Sequence, residues 1–346
     1  MNTIVEEVEA SKYFSFSVDS TPDITHNDQL TFTIRYIKHD AQPIERFLKF
    51  VSTSSHTGLH LFDCITSTFQ GLGIDINNCR GQTYDNASNV SGKYSGVQAR
   101  VLCINTTASY IPCMAHSLNL SGVAAAESCP DAVNFFGFVQ HVYVFLSGST
   151  HRWTVVKDAV DKQAKDSNIV PLLPKRLSET RWSARADALR SLFVHYKTYQ
   201  SVLEELGSDT LQRAETRREA MSLRNKMDKM ETAFLTVFWN TILCRINETS
   251  KLLQTKTRDL CTAVALLKSL IEFLSSQRNT FDLHHQEATK FCSGTFEEKR
   301  ARRAKRRADD SNEAAVTLTG KSKFKIDTFY VIVDAVVADL TRRVEA

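Results

Sequence analysis

Between Tyr13 and Val51 large apolar residues alternate with polar ones in three runs, Tyr13 to Val18, Leu30 to Ile37 and Ile44 to Val51. A period of two predicts half-buried strands, and Asp40-Ala41-Gln42-Pro43 supplies a hairpin turn between the second and third. The period then lengthens. Leu59, Phe62, Ile65 and Phe69 fall on one helical face, with Thr57 as its cap and an end near Leu72. A short strand at Cys79 to Thr83, a helix from Ser95 to Leu102, a strand at Tyr110 to Cys113 and a helix from His116 to Ala126 complete the first third. The order predicts an α/β core: a mixed five-stranded sheet in which an antiparallel meander is followed by parallel strands joined through helices.

From about residue 131 strand signals nearly vanish. Helical spacing runs through Phe135 to Leu146, Leu177 to Gln200 (with Ser178 as cap), Thr210 to Thr232, Phe234 to Leu253 and Leu260 to Ser275. Pro171 and Pro174 punctuate this run. Residues 292–322 are polar and highly charged, the pattern of a flexible basic linker, and an amphipathic helix from Phe329 to Val344 follows. The expected division is a core at 1–130, an all-helical domain at 131–291, the linker at 292–322 and the start of a C-terminal helical region at 323–346.

The chain has 43 basic and 39 acidic residues, a formal charge of +4 that by itself is too weak to imply nucleic acid. The distribution matters more, because Lys299, Arg300, Arg302, Arg303, Lys305, Arg306 and Arg307 form one basic run. That run is a candidate for nuclear import through an importin or for nucleic-acid contact, against a solvated linker as the alternative. Eight cysteines without CxxC pairs read as reduced intracellular thiols. No apolar run is read as reaching the ~20 residues of a membrane span, and the N-terminus lacks a signal-peptide pattern. A soluble intracellular protein without a membrane partner is expected.

Asp19 closes the first strand and Asp85 follows the fourth. Where those strands lie side by side, two carboxylates converge as a divalent-cation site for phosphoryl transfer requires, and hard oxygen ligands favour Mg²⁺. The alternative is that each aspartate is a turn former or helix cap. Cys113 and His116 suggest zinc, but a structural zinc site takes four ligands; a buried cysteine beside a helix-opening histidine that supports a site or faces DNA is the other reading. Trp182, beside Arg181, is either a core residue, the default for a lone tryptophan, or a platform for an unpaired base whose phosphates the arginines hold.

Taken together, these motifs resemble the hAT superfamily of DNA transposases, and within it the transposase-derived MYM-type zinc finger protein 1-like group that carries DUF4371. The resemblance rests on Ser17-Val18-Asp19-Ser20-Thr21, Cys79-Arg80-Gly81-Gln82 with Tyr84-Asp85, Asn89, and Ser91-Gly92-Lys93-Tyr94-Ser95-Gly96-Val97-Gln98. It continues through Cys113-Met114-Ala115-His116-Ser117-Leu118-Asn119-Leu120 and Leu177-Ser178-Glu179-Thr180-Arg181-Trp182-Ser183-Ala184-Arg185. It implies a ribonuclease-H-like core interrupted by a large all-α insertion domain, and cut-and-paste chemistry by a DDE triad using Mg²⁺ or Mn²⁺. In that frame Asp19 and Asp85 match the first two carboxylates, Trp182 the tryptophan that steadies a flipped base, and Cys113 and His116 the CxxH near the active site. DNA is the implied partner, the nucleus the implied location, and a homo-oligomer is the rule for the family.

The departures from that pattern are specific. No stretch matches the segment that carries the third carboxylate and the dimerisation region, and Glu179 falls in the insertion rather than at that position. Asn86 stands where glycine is usual. Loss of one metal ligand costs several kcal/mol of transition-state stabilisation, on the order of 10³-fold in rate. The expectation is a transposase-like DNA-binding protein inactive as this chain. The alternative is a domesticated, non-catalytic nuclear protein acting through DNA or protein binding.

Overall fold

The computed structural model describes residues 1–85, 87–178, 182–255, 260–298 and 319–345, and the basic run at 299–307 lies outside them, as does Arg181. Two compact units emerge, Met1–Ser117 with Leu253–Asp259, and Leu118–Leu252 with Leu260–Ala346.

The first unit holds the sheet. Strands β1 (Phe14–Pro22), β2 (Asp28–Ile37), β3 (Pro43–Ser52), β4 (Cys79–Thr83) and β5 (Ser109–Tyr110) lie in the order β3-β2-β1-β4-β5. The β1/β2 and β2/β3 pairs are antiparallel, whereas β1/β4 and β4/β5 are parallel. This is the mixed five-stranded sheet that the alternation predicted. Phe14, Phe16 and Val18 bury the same face of β1, and Phe69 of helix α2 (Gly58–Leu72) meets Phe16 edge-on at 5.0 Å. Thr57 caps α2, its hydroxyl accepting from the His60 amide at 3.3 Å.

Local patterning misses helix α1 (Asn2–Ser11), whose only buried residue is Val8. It also overextends β5: Pro112 has no N–H to give to a ladder. The chain nevertheless keeps beside β4, with Ile111 N donating to Gln82 O at 3.0 Å and Cys113 N to Tyr84 O at 2.9 Å. Under the sheet Gln82 is fully buried, its Nε2 donating to Ala108 O at 2.9 Å and its Oε1 accepting from the Tyr84 hydroxyl at 3.1 Å. A buried amide has to be satisfied in this way.

Described residues of the second unit are helical or irregular, without strands. Its core gathers aromatic side chains from distant segments: Phe234 lies 4.8 Å from Phe281, 5.3 Å from Phe324 and 5.7 Å from Phe329. Phe296 is buried in the same cluster, so packed chain runs past the composition boundary at 291. The last helix begins at Gly320, capped by Thr319, and carries a π-helical turn at Lys325–Tyr330 before Val331–Glu345. Its Ile332, Val333, Val336 and Leu340 are buried, making it an integral part of this unit's core.

One expectation is corrected outright. By length and composition the stretch Leu260–Asn279 is apolar enough to cross a bilayer. Here its Leu267, Leu270 and Leu274 form a buried stripe, and the helix Leu260–Ser276 packs against Val331–Glu345.

Candidate two-carboxylate site

The parallel pairing of β1 with β4 decides where the two aspartates go. Phe16 is registered with Gln82 and Ser17 with Thr83. The pairing stops there: Asp85 follows β4 by two residues, and Asp19 does not close β1 as expected, because the strand runs on to Pro22 with Asp19 paired to Thr31 of β2. Both aspartates line one cavity of about 170 Å³, whose polar rim also includes Ser20, His56 and Asn89, with Val18, Leu30, Leu61, Ile65 and Tyr84 as its apolar floor. Asp19 is exposed and Asp85 half-buried.

Asp85 has the turn-forming role that the sequence left as one alternative. Its Oδ1 accepts the Ala87 amide at 3.1 Å, a turn-forming bond. A carboxylate has about four lone-pair sites, so acceptor capacity remains. The Tyr110 hydroxyl donates to Asp85 O at 3.4 Å. Burial first, then the negative charges of Asp85 and Cys113, push that phenol up to about 12, so it stays a proton donor.

His56 escapes sequence reasoning, and Asn89 enters it only among the residues that carry the family resemblance, without a site role. His56 enters from the loop after β3, where its Nε2 lies 2.9 Å from Asp28 Oδ2. Asn89 fixes that loop by donating from Nδ2 to His56 O at 2.7 Å. Two glycines make this crossing feasible. A Cβ on Gly58 would sit 2.7 Å from the carbonyl oxygens of Asn89 and Ser95, and one on Gly96 would sit 2.6 Å from Gly92 N and O. The signal that could have found Asn89 was its place two residues ahead of Ser91-Gly92.

The donor set suits a hard cation that keeps most of its water. Mg²⁺ commonly binds through one or two carboxylates and completes its shell with water and substrate phosphates. Among the described residues no group of three His, Cys, Asp or Glu is placed to hold a metal, so neither a closed carboxylate triad nor a zinc site at Cys113 and His116 is assembled within them. Cys113 starts the helix Met114–Ala126, its carbonyl accepting from Ser117 N at 2.9 Å. His116 is half-buried on that first turn and is not part of the cavity lining.

Trp182 belongs to the helical unit and is only 3% exposed. Its ring packs on Phe136 at 5.8 Å and Trp239 at 6.0 Å, and Arg185 covers it at 4.6 Å. A base needs an open ring face, and this ring has none while the core is closed. The ring is packed as the core reading expects. The described helix begins at Trp182 and ends at Val194, with Ser178 outside it.

Comparison with known proteins bears on the first unit most directly. Residues 1–96 match the family described as DUF4371: ZMYM1/FAM200, RNase-like domain. That span includes β1 to β4 and both aspartates. The human 52 kDa repressor of the inhibitor of the protein kinase is 22% identical over 342 residues, covering 97% of this chain and 45% of that protein. The mouse protein of the same name is 22% identical over 334 residues, covering 94% of this chain and 44% of its own length. The chain therefore spans less than half the length of these curated relatives.

Proposed function

We propose that this chain is a transposase-derived nuclear protein of the hAT type, whose sheet unit retains a two-carboxylate cation site for recognising phosphodiesters and whose helical unit corresponds to the family's insertion domain. The observation that carries the reading is that Asp19, within β1, and Asp85, two residues past β4, line one cavity. The match of residues 1–96 to an RNase-like domain supports it, because that fold brings acidic strand ends together. In the proposed site Asp19 and Asp85 hold a hydrated Mg²⁺ or Mn²⁺, which supplies charge neutralisation for a phosphate. Asn89 and His56 keep the loop over the cavity in place.

The role is proposed to be binding rather than strand transfer. Two carboxylates hold one hydrated cation, whereas in-line displacement by two metals needs a clamp on both the attacking and the leaving oxygens. The repressor name borne by the human and mouse relatives favours the same reading, a domesticated protein acting through DNA or protein contacts. The basic run at 299–307 is proposed to serve nuclear import.

Calorimetric titration with Mn²⁺ tests the site. The chain is expected to bind Mn²⁺, and Asp19→Asn or Asp85→Asn to weaken binding at least about tenfold, roughly 1.4 kcal/mol. Undiminished binding by the double variant would sink the cation reading. Mn²⁺-dependent DNA cleavage abolished by Asp19→Asn would instead show that the chain is catalytic.

A further inference from the structure

We propose that the outer face of the helix Ala214–Met227 is a docking surface for the phosphate backbone of duplex DNA, a site separate from the two aspartates. The helix has two faces. Ala220, Leu223 and Met227 point into the core, whereas Arg217, Arg218, Ser222, Asn225 and Lys226, followed by Lys229, line an open groove of about 690 Å³. Every charged side chain in that lining is basic, and the polar ones are donors. Gly207, on the neighbouring helix Tyr196–Ser208, also lines the groove and lies against the Met221 side chain.

The charges on this face are unequally committed. Lys229 pairs with Glu297 at 2.5 Å. Arg224, at the margin, is neutralised by Glu204 and Asp228, and Glu219 is bound to His141. Arg217, Arg218 and Lys226 form no ion pair of this kind among the described residues. Arg217 Nε is closed off from solvent without a hydrogen-bond partner, so what Arg217 offers an external phosphate is its remaining guanidinium N–H groups. From Arg217 to Lys226 the helix spans ~14 Å at 1.5 Å per residue, the axial length over which one DNA strand presents roughly four phosphates. Arginine, lysine, serine and asparagine are the side chains that hold phosphates, and no acid lines the groove to repel them.

The inference rests on the helical unit alone, so its test is run in EDTA, where the Asp19/Asp85 site plays no part. Binding of a short fluorescein-labelled duplex to the whole chain is measured by anisotropy across a salt series. Replacing Arg217, Arg218 and Lys226 together by Gln is expected to flatten the plot of log K against log salt by about three units, close to one per lost phosphate contact. Circular dichroism checks that the variant folds. A matched variant carrying Lys157→Gln, Lys162→Gln and Lys165→Gln on another exposed helix is expected to change the slope little. The proposal is overturned by an unchanged slope in the first variant, by equal losses in both, or by a parent chain that does not bind. Displacement of the duplex by a glutamate-rich peptide of equal charge would overturn it too, marking the face as a site for acidic protein.

Discussion

Trp182 shows how one residue's meaning depends on its neighbours. Its sequence context allows a core residue or a stacking platform, and Gly122 decides between them, since a Cβ there would meet the indole at 2.6 Å. Gly122→Ala is therefore expected to destabilise the helical unit through overpacking by about 1–3 kcal/mol, less the ~1 kcal/mol that alanine gains in a helix. Urea unfolding followed by tryptophan fluorescence reads the difference, and a more stable variant would contradict the packing. Asp85 is the converse case. Its turn-forming role and its nearness to Asp19 were both legible as alternatives, but that Asp85 forms the turn and also lines one cavity with Asp19 depends on β4 pairing with β1 rather than on any local signal.

Helix α2 is the element that the sequence specified best. Its Thr57 cap and its end at Leu72 are as expected, with Gly73 terminating it in a left-handed conformation at φ 73°, but the buried stripe is Leu61, Ile65 and Phe69, and Leu59 is 51% exposed. Thr57→Ala is expected to cost about 1 kcal/mol, measured as a lowered unfolding midpoint. Elements with sparse apolar positions escaped the same reading. Helix Thr150–Ser167 buries only Val156, Val160 and Ala164, and Phe281–Ala288 is short. The predicted helix from Leu177 to Gln200 is interrupted at His195, between helices ending at Val194 and beginning at Tyr196. There the buried His195 ring accepts the Leu172 amide at 3.2 Å and contacts Gln163 Oε1 at 2.6 Å. Such a break is set by tertiary hydrogen bonds that no window of local sequence contains.

At the scale of the whole molecule, pH acts through buried histidine. Burial holds His284 down to about 4 from its usual 6.5, and burial lowers His195 in the same sense. Above pH 6.5 these rings are neutral whether the chain is folded or unfolded and do not affect stability. As pH falls from 6.5 towards 4 the unfolded chain takes up protons that the folded one refuses, so stability drops, by up to about 3 kcal/mol for His284. Thermal unfolding across that window is expected to show the decline in the parent chain and a shallower one in His284→Gln; parallel curves would remove His284 as the cause. The division into two units has a similarly physical origin. Periodicity of two before residue 52 and helical spacing after residue 130 dictated a sheet and a helical region, because the side chains that must be buried recur at the spacing of each element. Those local regularities, with the Thr57 cap and the two aspartates in or just after strands, are what the sequence determined. Tertiary structure alone decided which strands are neighbours, hence that Asp19 meets Asp85, that His56 and Asn89 join them, that Trp182 is enclosed, and that the outer face of Ala214–Met227 is left open. Each of these is a contact between segments distant in the chain, and only the packing of the folded whole brings such segments together.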